Sequence, residues 1–105
     1  GYRVSPTEVE EVVYGSGLVA GAAALGLPHN TLGQAIALVA SHHQGADDLD
    51  AIRDQLLAHC RRELPNFMVP LAVVVRDSLP HNQNGKIDRR ALADEYRKIF
   101  EEWTN

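Results

Sequence analysis

The sequence has 105 residues, enough for one domain with a modest core, and 45% of them are hydrophobic. Ten basic and fourteen acidic residues give a net charge of −4, and no basic stripe interleaved with aromatic residues occurs, so nucleic-acid binding is not indicated. The apolar stretches are broken within about a dozen residues, too short to span a bilayer. A single cysteine, Cys60, excludes an intramolecular disulfide within this sequence and favours a reducing, cytoplasmic location. It falls among apolar helical positions, so we expect a buried thiol.

The first predicted helix begins at Pro6. Ser5 is a suitable N-cap, proline fits the first helical position, and Glu8 stands where a capping box requires an acid. An apolar stripe follows, formed by Val9, Val12 and Val13. Three acidic side chains are expected to face solvent: Glu8, Glu10 and Glu11. Residues 15–17 (GSG) are expected to end this helix.

Two strands are predicted next, at residues 18–27 and 33–42. The first stretch is rich in alanine, but its two glycines and the turn residues that follow favour a strand over a helix. The second stretch has apolar residues on both alternating sets of positions. A strand that is apolar on both faces is expected in the interior of a sheet.

The second half of the chain predicts two more helices and one more strand. Asp47 or Asp48 is expected to cap the longest helix, which runs to about Leu64 with basic residues in its last turn. An irregular connector at 64–70, a third strand at 71–76 and a last helix from Arg89 to about Trp103 follow. The chain therefore predicts an α+β fold, with about three strands packed against about three helices.

A turn with one lysine separates the third strand from the last helix. Asn84 and Gly85 both tolerate positive φ and favour a turn, and Asp88 is a suitable helix cap. Lys86 is thus expected at the tip of a loop, where a solvated surface lysine is the ordinary interpretation. The segment lacks the first glycine and the Ser/Thr of a P-loop, and the histidines lack zinc-type spacing, so no metal site is predicted.

Four motifs in order change this interpretation. Residues 1–10 (GYRVSPTEVE) resemble a G-x-R-[IV]-x-P-x-E-[IV]-E segment, and residues 79–89 (LPHNQNGKIDR) resemble an L-P-x-[TN]-x-x-G-K-[IV]-x-R segment. Between them, residues 22–34 (AAALGLPHNTLGQ) and 64–70 (LPNFMVP) resemble two further motifs of the same family. The whole sequence therefore resembles the small C-terminal domain of adenylate-forming enzymes, which include acyl-CoA synthetases, peptide synthetase adenylation domains and luciferases.

This resemblance implies a mobile lid domain of a two-step ligase. It implies that ATP, Mg²⁺ and the acyl group are bound mainly by a large N-terminal domain, which we expect to be absent from this chain. Lys86 would reach the carboxylate and phosphate oxygens during adenylation, with Gly85 allowing close approach. In a second orientation, Gly1, Tyr2 and Arg3 would face the thiol substrate. Arg3 would contact a phosphate, or else pair structurally with a carboxylate such as Glu8.

The resemblance leaves the acceptor open. We predict an AMP-forming acyl-CoA ligase that uses a carboxylic acid, ATP and CoA, with its own N-terminal domain as the partner. A domain that loads a carrier protein is the first alternative, and a non-catalytic interaction module is the second. The presence of Lys86 counts against the second alternative. The chain alone is expected to be inactive, because the substrate pocket would belong to the other domain.

Overall fold

The computed structural model describes residues 5–29 and 31–100. Its elements, in chain order, are α1 (Pro6–Gly15), β1 (Val19–His29), β2 (Gly33–His42), α2 (Leu49–Glu63), a short 3₁₀ helix (Asn66–Met68), β3 (Ala72–Arg76) and α3 (Arg89–Tyr96). This order confirms the predicted α+β fold and the predicted number of strands and helices.

The three strands form one mixed sheet in the order β1-β2-β3. β1 and β2 are antiparallel, with Ala23 opposite Val39, whereas β2 and β3 are parallel, with Val39 opposite Val74. β2 is therefore the interior strand, as its two apolar faces predicted. Its neighbours β1 and β3 each keep one edge free of a strand partner within the described residues.

The sheet separates two hydrophobic clusters. The cluster on the face covered by α1 and α2 consists mainly of Val9, Val13, Ala22, Ala24, Ile36, Leu38, Ala40, Leu56, Cys60, Leu64 and Met68. The cluster on the face covered by the segment after β3 and by α3 consists of Ala23, Leu25, Leu27, Ala35, Ala37, Val39, Ala72, Leu79, Leu92 and Phe100. The helices α1 and α3 thus lie on opposite faces of the same sheet.

The helix starts follow the predicted caps. The Ser5 hydroxyl accepts from the Glu8 N–H at 3.4 Å, and the Asp48 carboxylate accepts from the Ala51 N–H at 3.0 Å. Asp48, rather than Asp47, is the N-cap of α2. Each cap satisfies an N–H group that has no partner inside its helix.

The end of α3 differs from the prediction. The helix ends at Tyr96 instead of continuing to about residue 103, and a turn follows in which the Ile99 N–H donates to the Tyr96 carbonyl at 2.9 Å. Phe100 is buried in the second cluster, with its ring 5.5 Å from the ring of His29. Burial of Phe100 against β1 takes the chain off the helical path. Trp103, which the sequence placed in this helix, lies outside the described residues.

Candidate functional site

The loop that carries Lys86 is closed like a small hairpin. The Asn82 N–H donates to the Lys86 carbonyl at 2.8 Å, and the Gly85 N–H donates to the Asn82 carbonyl at 3.0 Å. His81 and Ile87 form an antiparallel bridge just behind them. The side chain of Lys86 is exposed, but its backbone is held from both sides.

The side chain of Asn82 braces this turn from inside. Its Oδ1 accepts from the Asn84 N–H at 2.9 Å and from the Lys86 N–H at 3.2 Å. Asn side chains commonly stabilise turns by accepting from the backbone two residues further on. No structural role was predicted for Asn82, although an Asn two residues before another turn residue is a signal for this arrangement.

Gly85 and Asn84 take different backbone conformations. Gly85 has φ +79°, in the left-handed region, whereas no described residue other than glycine has a positive φ. The predicted turn is therefore confirmed, and of the two residues that tolerate a positive φ only Gly85 adopts one. The physical reason is the turn type: the Gly85 N–H closes a four-residue turn whose central residues need no positive φ, and glycine follows it in the left-handed conformation.

The base of the loop packs on β1 at a glycine. A Cβ added at Gly21 would lie 3.0 Å from Ser41 Oγ, 3.4 Å from Leu79 Cδ1 and 3.8 Å from Ile87 Cδ1. The two stems of the loop are also joined, because the Asp88 N–H donates to the Pro80 carbonyl at 2.8 Å. The absence of a side chain at position 21 therefore lets Leu79 and Ile87 lie directly on the strand.

Glu10 is buried, which contradicts the expectation that it faces solvent. Only 8% of the residue is exposed. Its Oε2 accepts from the Ala24 N–H at 2.9 Å and from Arg89 Nε at 3.1 Å, and its Oε1 pairs with Arg89 Nη2. The hydrogen bonding of Arg89 to the Glu10 carboxylate is the main cause that raises the pKa of Arg89. The carboxylate is buried because these three donors replace water.

This ion pair brings together the two motifs at opposite ends of the sequence. Residues 1–10 end on Glu10, and residues 79–89 end on Arg89. The opposite charges of these two final residues allow the contact, but charge alone does not select this pair among ten basic and fourteen acidic residues. The apolar stripe of α1 did not reveal it, because Glu10 lies beside the stripe rather than in it.

Tyr14, one helical turn after Glu10, extends the same contact along β1. Its hydroxyl accepts from the Ala22 N–H at 3.0 Å and lies 3.4 Å from the Ala22 carbonyl oxygen, to which it donates. Glu10 and Tyr14 thus bind backbone groups of Ala22 and Ala24 on the edge of β1 that has no neighbouring strand among residues 5–29 and 31–100. Side chains of α1 take the place of a fourth strand there.

The predicted site residues of the second surface fall outside the part of the chain that the structure describes. Gly1, Tyr2 and Arg3 lie outside the described residues, and Glu8 is exposed beside the cap of α1. Cys60 is buried as predicted, and burial raises the pKa of its thiol.

Residues 5–29 and 31–100 contain no group of three or more His, Cys, Asp or Glu side chains that could hold a metal ion. The same residues include no helix with the length and apolar character needed to cross a membrane.

Comparison with known proteins gives one consistent result. A family model described as the AMP-binding enzyme C-terminal domain matches residues 8–86, a range that includes Glu10 and Lys86. The chain is 38% identical over 99 residues to a long-chain-fatty-acid–CoA ligase of Yersinia pestis, covering 94% of this chain and 17% of that protein. It is 36% identical over 100 residues to an acetyl-coenzyme A synthetase of Emericella nidulans, covering 95% of this chain and 14% of that protein.

Solved structures agree with these relatives. ATP-bound MatB from Rhodopseudomonas palustris superimposes with a TM-score of 0.84 at 29% identity, over 95% of this chain and 19% of that one. The amide bond synthetase McbA from Marinactinospora thermotolerans superimposes with a TM-score of 0.74 at 30% identity, over 94% of this chain and 19% of that one. The chain therefore spans less than a fifth of the length of each of these proteins.

Proposed function

This chain belongs to the AMP-binding enzyme C-terminal domain family, and from that membership we propose that it is the lid domain of an AMP-forming acyl-CoA ligase. Such an enzyme joins a carboxylic acid to ATP as an acyl-adenylate and releases pyrophosphate. It then transfers the acyl group to the thiol of CoA and releases AMP. The observation that carries the proposal is Lys86, an exposed lysine on a backbone that is fixed from both sides.

Lys86 acts in the adenylation step. A carboxylate oxygen attacks the α-phosphorus of ATP, and the bond from that phosphorus to pyrophosphate breaks. Both reactants are anions, so their repulsion raises the barrier. A compact ammonium group between them offsets this repulsion where charge is being redistributed, and it also fixes the angle of approach.

The residues that bind the carboxylate and ATP are expected to come from another part of the full-length protein. The described turn exposes Lys86 to solvent, so the carboxylate and ATP have to be delivered by another domain. We assign that role to a large N-terminal domain, supported by relatives that are more than five times as long as this chain. Mg²⁺ bound with ATP would neutralise phosphate charge. The described part of this chain offers no cluster of ligands for it, so we expect the ion in that other domain.

The thioester step uses a second orientation of the lid. We assign Gly1, Tyr2 and Arg3 to the surface that meets the thiol, on the basis of the motif in residues 1–10. Gly1 would leave room for the pantetheine arm, and Arg3 would contact a phosphate. A lysine on a domain that rotates serves the first step and leaves the site before the second.

CoA is the acceptor that the curated relatives favour. Those cited above are named as CoA ligases or synthetases, whereas a related structure is named as an amide bond synthetase. The acceptor therefore varies among proteins with this domain, and a carrier protein remains the alternative acceptor. Use of ATP and CoA, together with the single buried thiol, supports a cytoplasmic location.

Measurement of ATP–pyrophosphate exchange tests this proposal. The full-length protein is assayed with a panel of carboxylates from acetate to long-chain fatty acids, and the best carboxylate is then tested for product formation with CoA and with a carrier protein. We expect exchange with at least one acid and a product that requires CoA. The 105-residue chain alone is expected to give no exchange. Absence of exchange across the panel contradicts the proposal.

A further inference from the structure

We propose that Glu10 and Arg89 are positioning residues for Lys86, and that their ion pair fixes where the ammonium group stands during adenylation. This inference rests on the proposed function, because it assigns the pair to the step in which Lys86 acts. It goes beyond that function by naming two side chains that would act through Lys86 rather than on a substrate.

The pair joins the two faces of the sheet around one edge. Glu10 comes from α1, which packs on one cluster, and Arg89 is the first residue of α3, which packs on the other. They meet at the edge of β1 that faces away from β2, where Glu10 also accepts from the Ala24 N–H at 2.9 Å. The carboxylate therefore fixes Arg89 to a strand and to a helix at the same time.

The connection from Arg89 to Lys86 is short and bonded. Only two residues, Ile87 and Asp88, separate them. Ile87 bridges to His81, and the Asp88 N–H donates to the Pro80 carbonyl at 2.8 Å. A displacement of Arg89 is therefore passed to the backbone of Lys86 rather than absorbed by a slack linker.

The Glu10–Arg89 pair is better suited to fixing the orientation of Arg89 than to adding to the hydrophobic core. The side chain of Arg89 is 51% exposed, so it contributes little apolar burial. Two of its three guanidinium nitrogens, Nε and Nη2, engage both carboxylate oxygens of Glu10, which fixes the angle as well as the distance between the two groups. A lysine keeps the charge but lacks this fork, so Arg89→Lys removes the orientation while retaining the attraction.

The test separates the two half-reactions of the full-length enzyme. Adenylation is measured by ATP–pyrophosphate exchange with the best carboxylate of the panel, and thioester formation is measured from the preformed acyl-adenylate of that acid with CoA. We expect Arg89→Lys to lower the kcat of exchange by roughly 10- to 100-fold, as a displacement of about 1 Å does at other sites. Thioester formation is expected to stay within about twofold of the parent.

Arg90→Lys is the matched control. Arg90 is the next residue, is exposed, and forms no ion pair with Glu10 in the described part of the chain. Both half-reactions should therefore be unchanged by Arg90→Lys. Lys86→Ala is measured alongside. If Lys86→Ala leaves exchange intact, the proposed function fails; if it abolishes exchange while Arg89→Lys does not lower it, only the present inference fails.

A purely structural role predicts another pattern. If Arg89→Lys lowers the rates of both half-reactions and the melting temperature together, the inference is overturned.

Glu10→Asp provides a second test of the pair, because it keeps the negative charge but shortens the side chain that reaches Arg89. If the pair acts as a unit, the Glu10→Asp/Arg89→Lys double variant loses no more exchange than the worse single variant. Independent, multiplicative losses overturn that conclusion.

Discussion

The tip and the base of the Lys86 loop are built on opposite physical principles. At the tip, residues 81–86 are all exposed, and the turn is held by backbone hydrogen bonds and by Asn82. At the base, Leu79 is buried, Gly21 admits the two stems against β1, and Arg89 is bonded to the buried Glu10. The tip presents a charge, and the base determines where that charge stands.

Residues that should matter for stability and residues that should matter for activity therefore lie within a dozen positions of each other around this loop. An exposed side chain without burial contributes little to the free energy of unfolding, so the tip is free to be specialised for chemistry. A buried, bonded side chain contributes to folding whatever its role in the reaction. Removal of an exposed side chain at the tip should therefore affect catalysis alone, whereas removal of a buried, bonded side chain at the base should also affect folding.

Lys86→Ala is expected to have the largest effect, and only on activity. Loss of an ammonium that stabilises developing charge should lower the rate of ATP–pyrophosphate exchange by the full-length enzyme about 10²- to 10³-fold. Thioester formation from preformed acyl-adenylate should persist, and the melting temperature should be unchanged. Lys98→Ala, the other lysine in the chain and also exposed, is the control and should alter neither. Normal exchange by Lys86→Ala would remove the assigned role.

Glu10→Ala is expected to have the largest effect on stability. It leaves the Ala24 N–H without its acceptor, in a residue that is only 2% exposed. Arg89 is half-exposed and can return to water, so the cost should lie near that of one unpaired buried donor, about 2 kcal/mol. Urea denaturation measures it. Glu11→Ala, on the same helix but exposed, should change the free energy of unfolding by less than about 0.5 kcal/mol. Equal losses of stability from Glu10→Ala and Glu11→Ala would contradict the difference between the buried and the exposed glutamate.

The same contrast explains what the sequence could predict. Elements with a clear period or cap were predicted within a residue or two: β2 at Gly33–His42, and α2 with Asp48 as its cap. These signals are local, because the residues that cause the structure lie next to each other in the chain. Lys86 was placed at a loop tip for the same reason.

Contacts between distant segments were the part that sequence reasoning missed. Glu10 was predicted to face solvent because a glutamate on a helix usually does, and its partner stands 79 residues away. The early end of α3 has the same cause, since Phe100 is drawn to β1 by a cluster that forms only in the folded chain. Local propensity carries no information about either contact.

Gly85→Ala is expected to have a smaller effect, confined to the tip. Gly85 has φ +79°, and no atom beyond its two chain neighbours lies within 4 Å of an added Cβ, so the cost is conformational rather than steric, about 1 kcal/mol. Gly15→Ala is the matched control, because Gly15 also has open space but no positive φ and ends a helix. It should be neutral or stabilising by about 0.5 kcal/mol. Urea denaturation distinguishes the two, and equal stabilisation by both substitutions would contradict the left-handed conformation at Gly85.

Disruption of the His42–Asp77 pair is expected to have the smallest effect on the free energy of unfolding. It tests whether the base of the Lys86 loop extends as far as Asp77. Asp77 stands two residues before the buried Leu79 but is itself exposed. His42 Nε2 lies 2.8 Å from Asp77 Oδ1, and His42 Nδ1 lies 2.8 Å from the carbonyl oxygen of His43. Both ring nitrogens therefore face acceptors, which favours the doubly protonated imidazole. The hydrogen bond with Asp77 is the main cause that raises the pKa of His42 above its usual 6.5.

The sign of the pH dependence follows from this raised pKa. Because the folded state binds the proton more tightly than the unfolded state, the stabilisation is complete below about pH 6.5 and is lost as the pH rises through the folded-state value. Asp77→Asn should therefore lower the free energy of unfolding more at pH 6 than at pH 8, and should lower the pKa of His42 in an NMR titration. An equal loss at both pH values would show that Asp77 acts through its shape or backbone. In that case Asp77 would belong to the base of the Lys86 loop. Side-chain exposure alone would then not distinguish residues that stabilise the fold from residues that act only in catalysis.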